Sequence, residues 1–200
     1  MAFGAREQAI FKFARGQHGL VTYAQLAEAG ATRRMVSLRL KSGEWIRELP
    51  TVVRMHWAER TWMEQLWAAW LWAGPRSVIS HASAAALNGL GVGMCEPIHV
   101  TMPRIHRANA PTEWMTVYAS RSIQARDFEI LCGLPVMTPA RTVIDMASQL
   151  SETELSRLVR SGQRVGVVAV KDIQKYFTQH RTRGRIGMKT LRAVLRTASL

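Results

Sequence analysis

Residues 19–49, GLVTYAQLAEAGATRRMVSLRLKSGEWIREL, constrain the fold of this chain more than any other stretch. Thr22 is placed to cap a helix over Tyr23–Ala29, and Gly30 stops it. Thr32 caps a second helix running to about Ser42, with Gly43 past its end. Trp45 to Met55 mixes β-forming residues around Pro50 and Thr51, which reads as two strands and a tip. A first helix over residues 5–16 precedes them, with apolar positions Ile10, Phe11, Phe13 and Ala14. Short helix, Gly turn, basic helix and strand pair, in that order, are the sequence form of a winged helix-turn-helix. The second helix of such an element fits a DNA major groove.

Projected at helical spacing, Arg33, Arg34, Ser37 and Lys41 share an arc of about 100°, with Leu38 at its margin. Val36 and Leu40 point the other way, toward the first two helices. One stripe can therefore dock while the other presents donors. Arginine can bond guanine bidentately, while Lys, Ser and main-chain N–H groups suit phosphates. Arg47 and Arg54 in the strand pair are placed to reach an adjacent backbone or minor groove, and Trp45 is expected to be buried beneath it.

Charge supports a polyanionic partner. Residues 1–57 hold nine Lys/Arg against four Asp/Glu, residues 58–155 seven against nine, and residues 156–200 eleven against Asp172 alone. Two basic ends thus flank a near-neutral middle, and such a field attracts nucleic acid or anionic surfaces. Cys95 and Cys132 are too few for a disulfide framework or a zinc knuckle and are expected to be reduced, buried and inert. The N-terminus lacks a signal-peptide core, and no apolar run reaches about 18 residues, so the expectation is a cytoplasmic chain without a membrane span.

The expected fold class is α+β: a winged helix-turn-helix over residues 1–57, then a mixed α/β domain over 58–200 with a basic helical tail from about 156. Residues 59–73 predict an apolar helix with Trp62, Met63, Leu66, Trp67, Trp70 and Leu71 on its core face. Glu64, Gln65 and Trp72 fall opposite, which makes Trp72 a candidate partner surface. Strands follow at 98–101, 115–119, 127–131 and 134–137, with a turn at Cys132-Gly133 and a basic loop holding Arg104, His106 and Arg107. Thr138-Pro139 starts a helix on which Arg141 and Asp145 pair on the exposed face. Ser151 and Glu154 form a capping box for the next helix, and RTRGRIGMKTLRAVLR gives a basic loop and a last helix.

The chain resembles the AbiEi family of antitoxins. The resemblance is carried by residues 19–49, by the Trp-rich helix ending AGPRSVISHASAAALNGLG, and by PIHVTMPR, GLPVMTPARTVIDMA and GRIGMKTLRAVL, which span most of residues 10–197. It implies an N-terminal winged helix and a C-terminal antitoxin-type domain. It also implies repression of the protein's own operon through inverted repeats, and opposition to a nucleotidyltransferase toxin. The recognition-helix role falls on Arg33, Arg34, Ser37 and Lys41, and the wing role on Arg47 and Arg54. Two departures stand out. Thr51 follows Pro50 where the wing usually carries Gly, and many relatives continue beyond the GRIGMKTLRAVL-like segment into a nuclease-like domain.

Nothing in the sequence calls for catalysis, a metal or a cofactor. A phosphodiester nuclease needs clustered carboxylates, and the chain has three Asp: Asp127, Asp145 and Asp172. His81 begins a helix, where a local hydrogen bond is the expected use. The tail residues Arg181, Arg183, Arg185 and Lys189 form either a second DNA-contacting face or a dock for an acidic toxin or RNA. The leading expectation is a non-enzymatic DNA-binding antitoxin that autorepresses its operon, with two copies on DNA. The alternatives are a protein-binding toxin neutraliser with weak DNA binding, and a stand-alone phage or mobile-element regulator.

Overall fold

The N-terminal helices are set by capping. In the computed structural model, which describes residues 4–94, 96–103, 110–121, 123–179 and 187–198, α1 (Ala5–Gly16) leads through β1 (Leu20–Thr22) into α2 (Tyr23–Glu28) and α3 (Arg33–Lys41). Thr22 and Gln25 form a reciprocal capping box at α2, and the Thr32 hydroxyl accepts from Met35 N at α3. The side-chain amides of Gln17 and Gln25 bond each other in both directions, at 3.0 and 2.8 Å, tying the end of α1 to α2. Then β2 (Trp45–Leu49) and β3 (Val52–Met55) form a hairpin whose tip is Pro50-Thr51.

The three strands make an antiparallel sheet in the order β1-β3-β2. Strand β1 was not expected. It has three residues and no alternation to display, and it exists because β3 offers it an edge, with Leu20 opposite Arg54. Neighbouring Leu20 and Val21 are both fully buried. Since successive strand residues face opposite ways, both faces of the sheet must be covered. Helices α1 to α3 close one face around Ile10, Leu26, Trp45 and Val53. Helix α4 (Trp62–Ala73) packs on β1, β2 and β3. The first compact unit accordingly comprises Met1–Arg76 with Asn109–Met115, so it runs beyond residue 57 and includes α4.

Helix α4 corrects the sequence expectation. Glu64 and Gln65 are buried rather than outward, while Trp62, Met63, Trp70, Leu71 and Trp72 are half-buried. The amphipathic projection assumed that the polar arc faces water. Instead Glu64 meets Arg54 of β3, and the Trp-rich arc is only partly covered.

The second unit comprises Ser77–Ala108 with Thr116–Leu200. Its sheet has the order β6-β5-β4-β8-β7, built from β4 (Val78–Ile79), β5 (Ile98–Pro103), β6 (Met115–Ser120), β7 (Phe128–Leu131) and β8 (Leu134–Met137). The central β4 pairs antiparallel with β5 and parallel with β8, and β7–β8 is a hairpin. The hairpin turn is Cys132-Gly133, both at positive φ. Cys132 is therefore exposed, not buried, because the tip of a two-residue turn points away from the sheet. Cys95 lies outside the described residues.

Helix α5 (His81–Leu87) joins α6 (Pro139–Met146), α7 (Glu152–Arg164), α8 (Val170–Gln179) and α9 (Met188–Ala198) around an apolar cluster including Val143, Leu155, Ile173 and Leu191. Gly187 lets α9 start against α6. A Cβ there would lie 2.0 Å from the carbonyl oxygen of Ala147, which explains the glycine in GRIGMKTL. Among the described residues no helix is long and apolar enough to cross a membrane.

Arg141 and Asp145 do pair, but inside the protein. Arg141 Nε donates to both Asp145 oxygens at 3.0 and 2.9 Å, and Nη1 donates to the Tyr176 hydroxyl at 2.7 Å. Tyr176 in turn donates to Asp127 at 2.6 Å, and Arg141 lies 3.4 Å from the same carboxylate. Burial, then the hydrogen bond to Asp127, pushes the Tyr176 phenol up to about 12 and keeps its proton in place for that bond. Spacing alone predicted the pair; only the packing of α6 and α8 could bury it. Breaking such a network strands a buried charge, so Arg141→Ala should lose roughly 3–5 kcal/mol in urea unfolding. Asp172→Asn, at an exposed site of α8, should stay within about 0.5 kcal/mol of the parent.

Candidate nucleic-acid interface

Arg33, Ser37 and Lys41 stand at successive four-residue intervals on α3 and share one stripe. They line a groove of about 690 Å³, with Tyr23 and Ala27 of α2 along one side. Across it stands Arg47 of β2, its guanidinium 5.8 Å from the centre of the Tyr23 ring. Gly30, at φ +83°, makes the reversal between α2 and α3 that opens this groove. Val36 and Leu40 pack toward the core while Leu38 is 57% exposed. Arg34 is exposed on α3 but does not line the groove.

Arg47 keeps the alternation of β2: Trp45 opposes Met55 and Arg47 opposes Val53, so Arg47 points to the α1–α3 side of the sheet, where it lies exposed over Tyr23. The register shifts only beyond it, between Arg47 and Leu49, and the Glu48 side chain, beside Arg54, retains only 6% exposure. Arg39 is used within the fold, paired with Glu44 and Glu7 and lying 5.3 Å over Trp45. No ion pair holds Arg33, Arg34, Lys41 or Arg47 among the described residues.

Arg54 departs from its expected place. Its side chain is 12% exposed, with Nε 3.1 Å from Glu48 and Nη1 donating to the Ala58 carbonyl at 2.6 Å. The cover provided by α4 leaves little of its side chain exposed. Glu64 lies behind it, 3.8 Å from Nε, with both carboxylate oxygens buried and lacking a hydrogen-bond partner among the described residues. Burial, then the nearby Glu48 carboxylate, pushes Glu64 up to about 8 despite Arg54 and Arg60.

Elsewhere, Lys189 is exposed on α9, and Trp72 is half-buried on α4. Arg181, Arg183 and Arg185 lie outside the described residues, as do Arg104, His106 and Arg107. His81 is buried at φ +49° with Nδ1 3.0 Å from Ser80 Oγ, the local bond its sequence context suggested. Its ring stacks 3.6 Å from Tyr118, whose hydroxyl lies 3.2 Å from His99 Nδ1. Burial holds His99 below the usual histidine range. Tyr23 is the groove residue that sequence reasoning missed: a helix-start aromatic carries no signal until the hairpin brings Arg47 over it.

Residues 8–49, which contain α2, α3 and β2, match the family model described as "Transcriptional regulator, AbiEi antitoxin". The crystal structure of the RV2827C protein from Mycobacterium tuberculosis shares the fold, with a TM-score of 0.56 over 90% of this chain and 74% of that one, at 14% identity. No curated protein matches the chain.

Two pairs of outcomes separate the arginines and test Glu64. Arg54→Ala should cost roughly 1–3 kcal/mol, since it removes the buried cation beside Glu48 and leaves that carboxylate only the more exposed Arg60, whereas Arg47→Ala should leave stability within about 0.5 kcal/mol. Glu64 has a folded-state pKa above its unfolded value of 4.5. Its stabilising share is therefore complete below 4.5 and lost as pH rises through about 8. Glu64→Gln, fixed in the neutral form, should raise the melting temperature relative to the parent at pH 8 and not at pH 4.5. An equal gain at both would show that the carboxyl does not titrate in this way.

Proposed function

We propose that residues 1–57 act as a winged helix-turn-helix, with α3 as the helix that enters the DNA major groove and the β2–β3 hairpin as its wing. The chain is then an antitoxin-type regulator that represses its own operon at inverted repeats, two copies to a site, in the cytoplasm. The observation that carries this reading is the groove. Arg33, Ser37 and Lys41 on one helix stripe, and Arg47 facing them from the hairpin, present donors that no ion pair among the described residues consumes. The match of residues 8–49 to a family of transcriptional regulators points the same way.

A helix fits the roughly 12 Å width of the major groove. Arg33, near the N-terminus of α3, is placed to read base edges, as first-turn residues of recognition helices do. Lys41 and Arg47 contribute phosphate contacts, which set register without carrying sequence information. The basic tail, with Lys189 on α9, adds to the polyanion field. The protein binds and does not catalyse, and its protein partner is a nucleotidyltransferase toxin.

A gel shift with the chain's own upstream DNA and a scrambled duplex, over a salt series, tests this. The upstream duplex should bind more tightly, and Arg33→Ala/Lys41→Ala should abolish that preference. Loss of the Lys41 phosphate contact would also make the log–log salt slope shallower by about 1. Equal weak binding to both duplexes, unchanged in the double variant, would remove the reading.

A further inference from the structure

Helix α7 borders a second groove that DNA binding by α3 does not use. In the C-terminal unit, Leu90, Met146, Leu150 and Leu158 form an apolar floor under a trough of about 640 Å³. One wall is the chain at Gly91, which has φ +77°; a Cβ there would lie 2.4 Å from the Ser161 hydroxyl. The chain at Gly91 therefore packs directly on α7; beneath it Leu90, Met146 and Leu158 are nearly buried, and half-buried Leu150 and Val92 present the apolar surface of the trough.

The rim is positive. Arg157, Arg160 and Arg164 are all exposed, and their three- and four-residue spacing puts them in one row along the trough. The one acidic group lining it, Glu154, accepts from the Ser151 amide at 2.9 Å and the Ser151 hydroxyl at 2.7 Å as part of the α7 cap. It also attracts Arg157, leaving Arg160 and Arg164 without an ion pair among the described residues.

An apolar floor with a row of arginines on its edge asks for two things in one ligand. It needs apolar side chains to fill the trough and carboxylates to meet the guanidinium forks, which pair carboxylates bidentately. A phosphodiester strand offers the charge without the apolar side chains. A helix with one apolar face and acidic flanks offers both, in the helix-in-groove manner. We propose that this trough docks an acidic amphipathic helix of a protein partner. The surface deepens the partner half of the proposed reading and is independent of the DNA half.

The test uses the full chain and a fluorescein-labelled peptide of about 18 residues, roughly five helical turns, with Leu at helical spacing and Glu on both flanks. Anisotropy should report saturable binding, weakened at least about tenfold in Arg160→Glu/Arg164→Glu. A peptide with every Glu replaced by Lys should not bind, and one with every Leu replaced by Ser should bind at least about tenfold more weakly. Circular dichroism melting should show the double variant as stable as the parent, since both positions are exposed. In parallel gel shifts the same variant should keep its preference for upstream DNA, whereas Arg33→Ala/Lys41→Ala should lose DNA and keep the peptide. The proposal is overturned by no peptide binding, by equal binding to the charge-reversed variant, or by equal binding of the Ser peptide. It also falls if Arg160→Glu/Arg164→Glu abolishes the DNA shift, which would make the row a nucleic-acid contact.

Discussion

The N-terminal unit depends on the burial of a three-stranded sheet on both faces. Helices α1 to α3 take one face and α4 takes the other. Leu20, Val21, Val52 and Val53 are consequently all fully buried, although they alternate in direction along their strands. Without α4, Leu20 and Val52 would face water on that side, and Arg54 and Glu48 would be ordinary surface charges. With it they and Glu64 become an internal cluster held by Arg54, in which one carboxyl is too poorly solvated to ionise readily. The cations left exposed in this part of the chain include Arg47 of the hairpin and Arg33, Arg34 and Lys41 of α3.

The C-terminal unit solves a comparable problem with an explicit network. Arg141 is shared between Asp145, Tyr176 and Asp127, so α6, α8 and the strand-entry turn before β7 are joined by charge-assisted bonds. Two of the chain's three aspartates are thereby consumed in holding the fold. Among the described residues no group of three or more His, Cys, Asp and Glu side chains could hold a metal ion.

Both grooves set basic side chains around an aliphatic lining. The α2–α3 groove places Arg33, Ser37, Lys41 and Arg47 around Tyr23, Leu26, Val36 and Leu40. The α7 trough sets arginines around an aliphatic floor and suits a ligand with an apolar face.

Local chemistry was legible in the sequence. The capping boxes at Thr22 and Ser151, the Thr32 cap, the Cys132-Gly133 turn and the pairing of Arg141 with Asp145 each involve residues within four positions of one another. So was the stripe of Arg33, Ser37 and Lys41, because a helix fixes its own geometry. Solvent exposure was not. Whether Arg54 reaches outward, Glu64 faces water or Arg141 lies on a surface depends on which distant element covers each face. A sequence sets the periodicity of side chains along one element. What stands opposite them, and so their dielectric and their partners, is decided only when α4 closes on the sheet and α8 on α6.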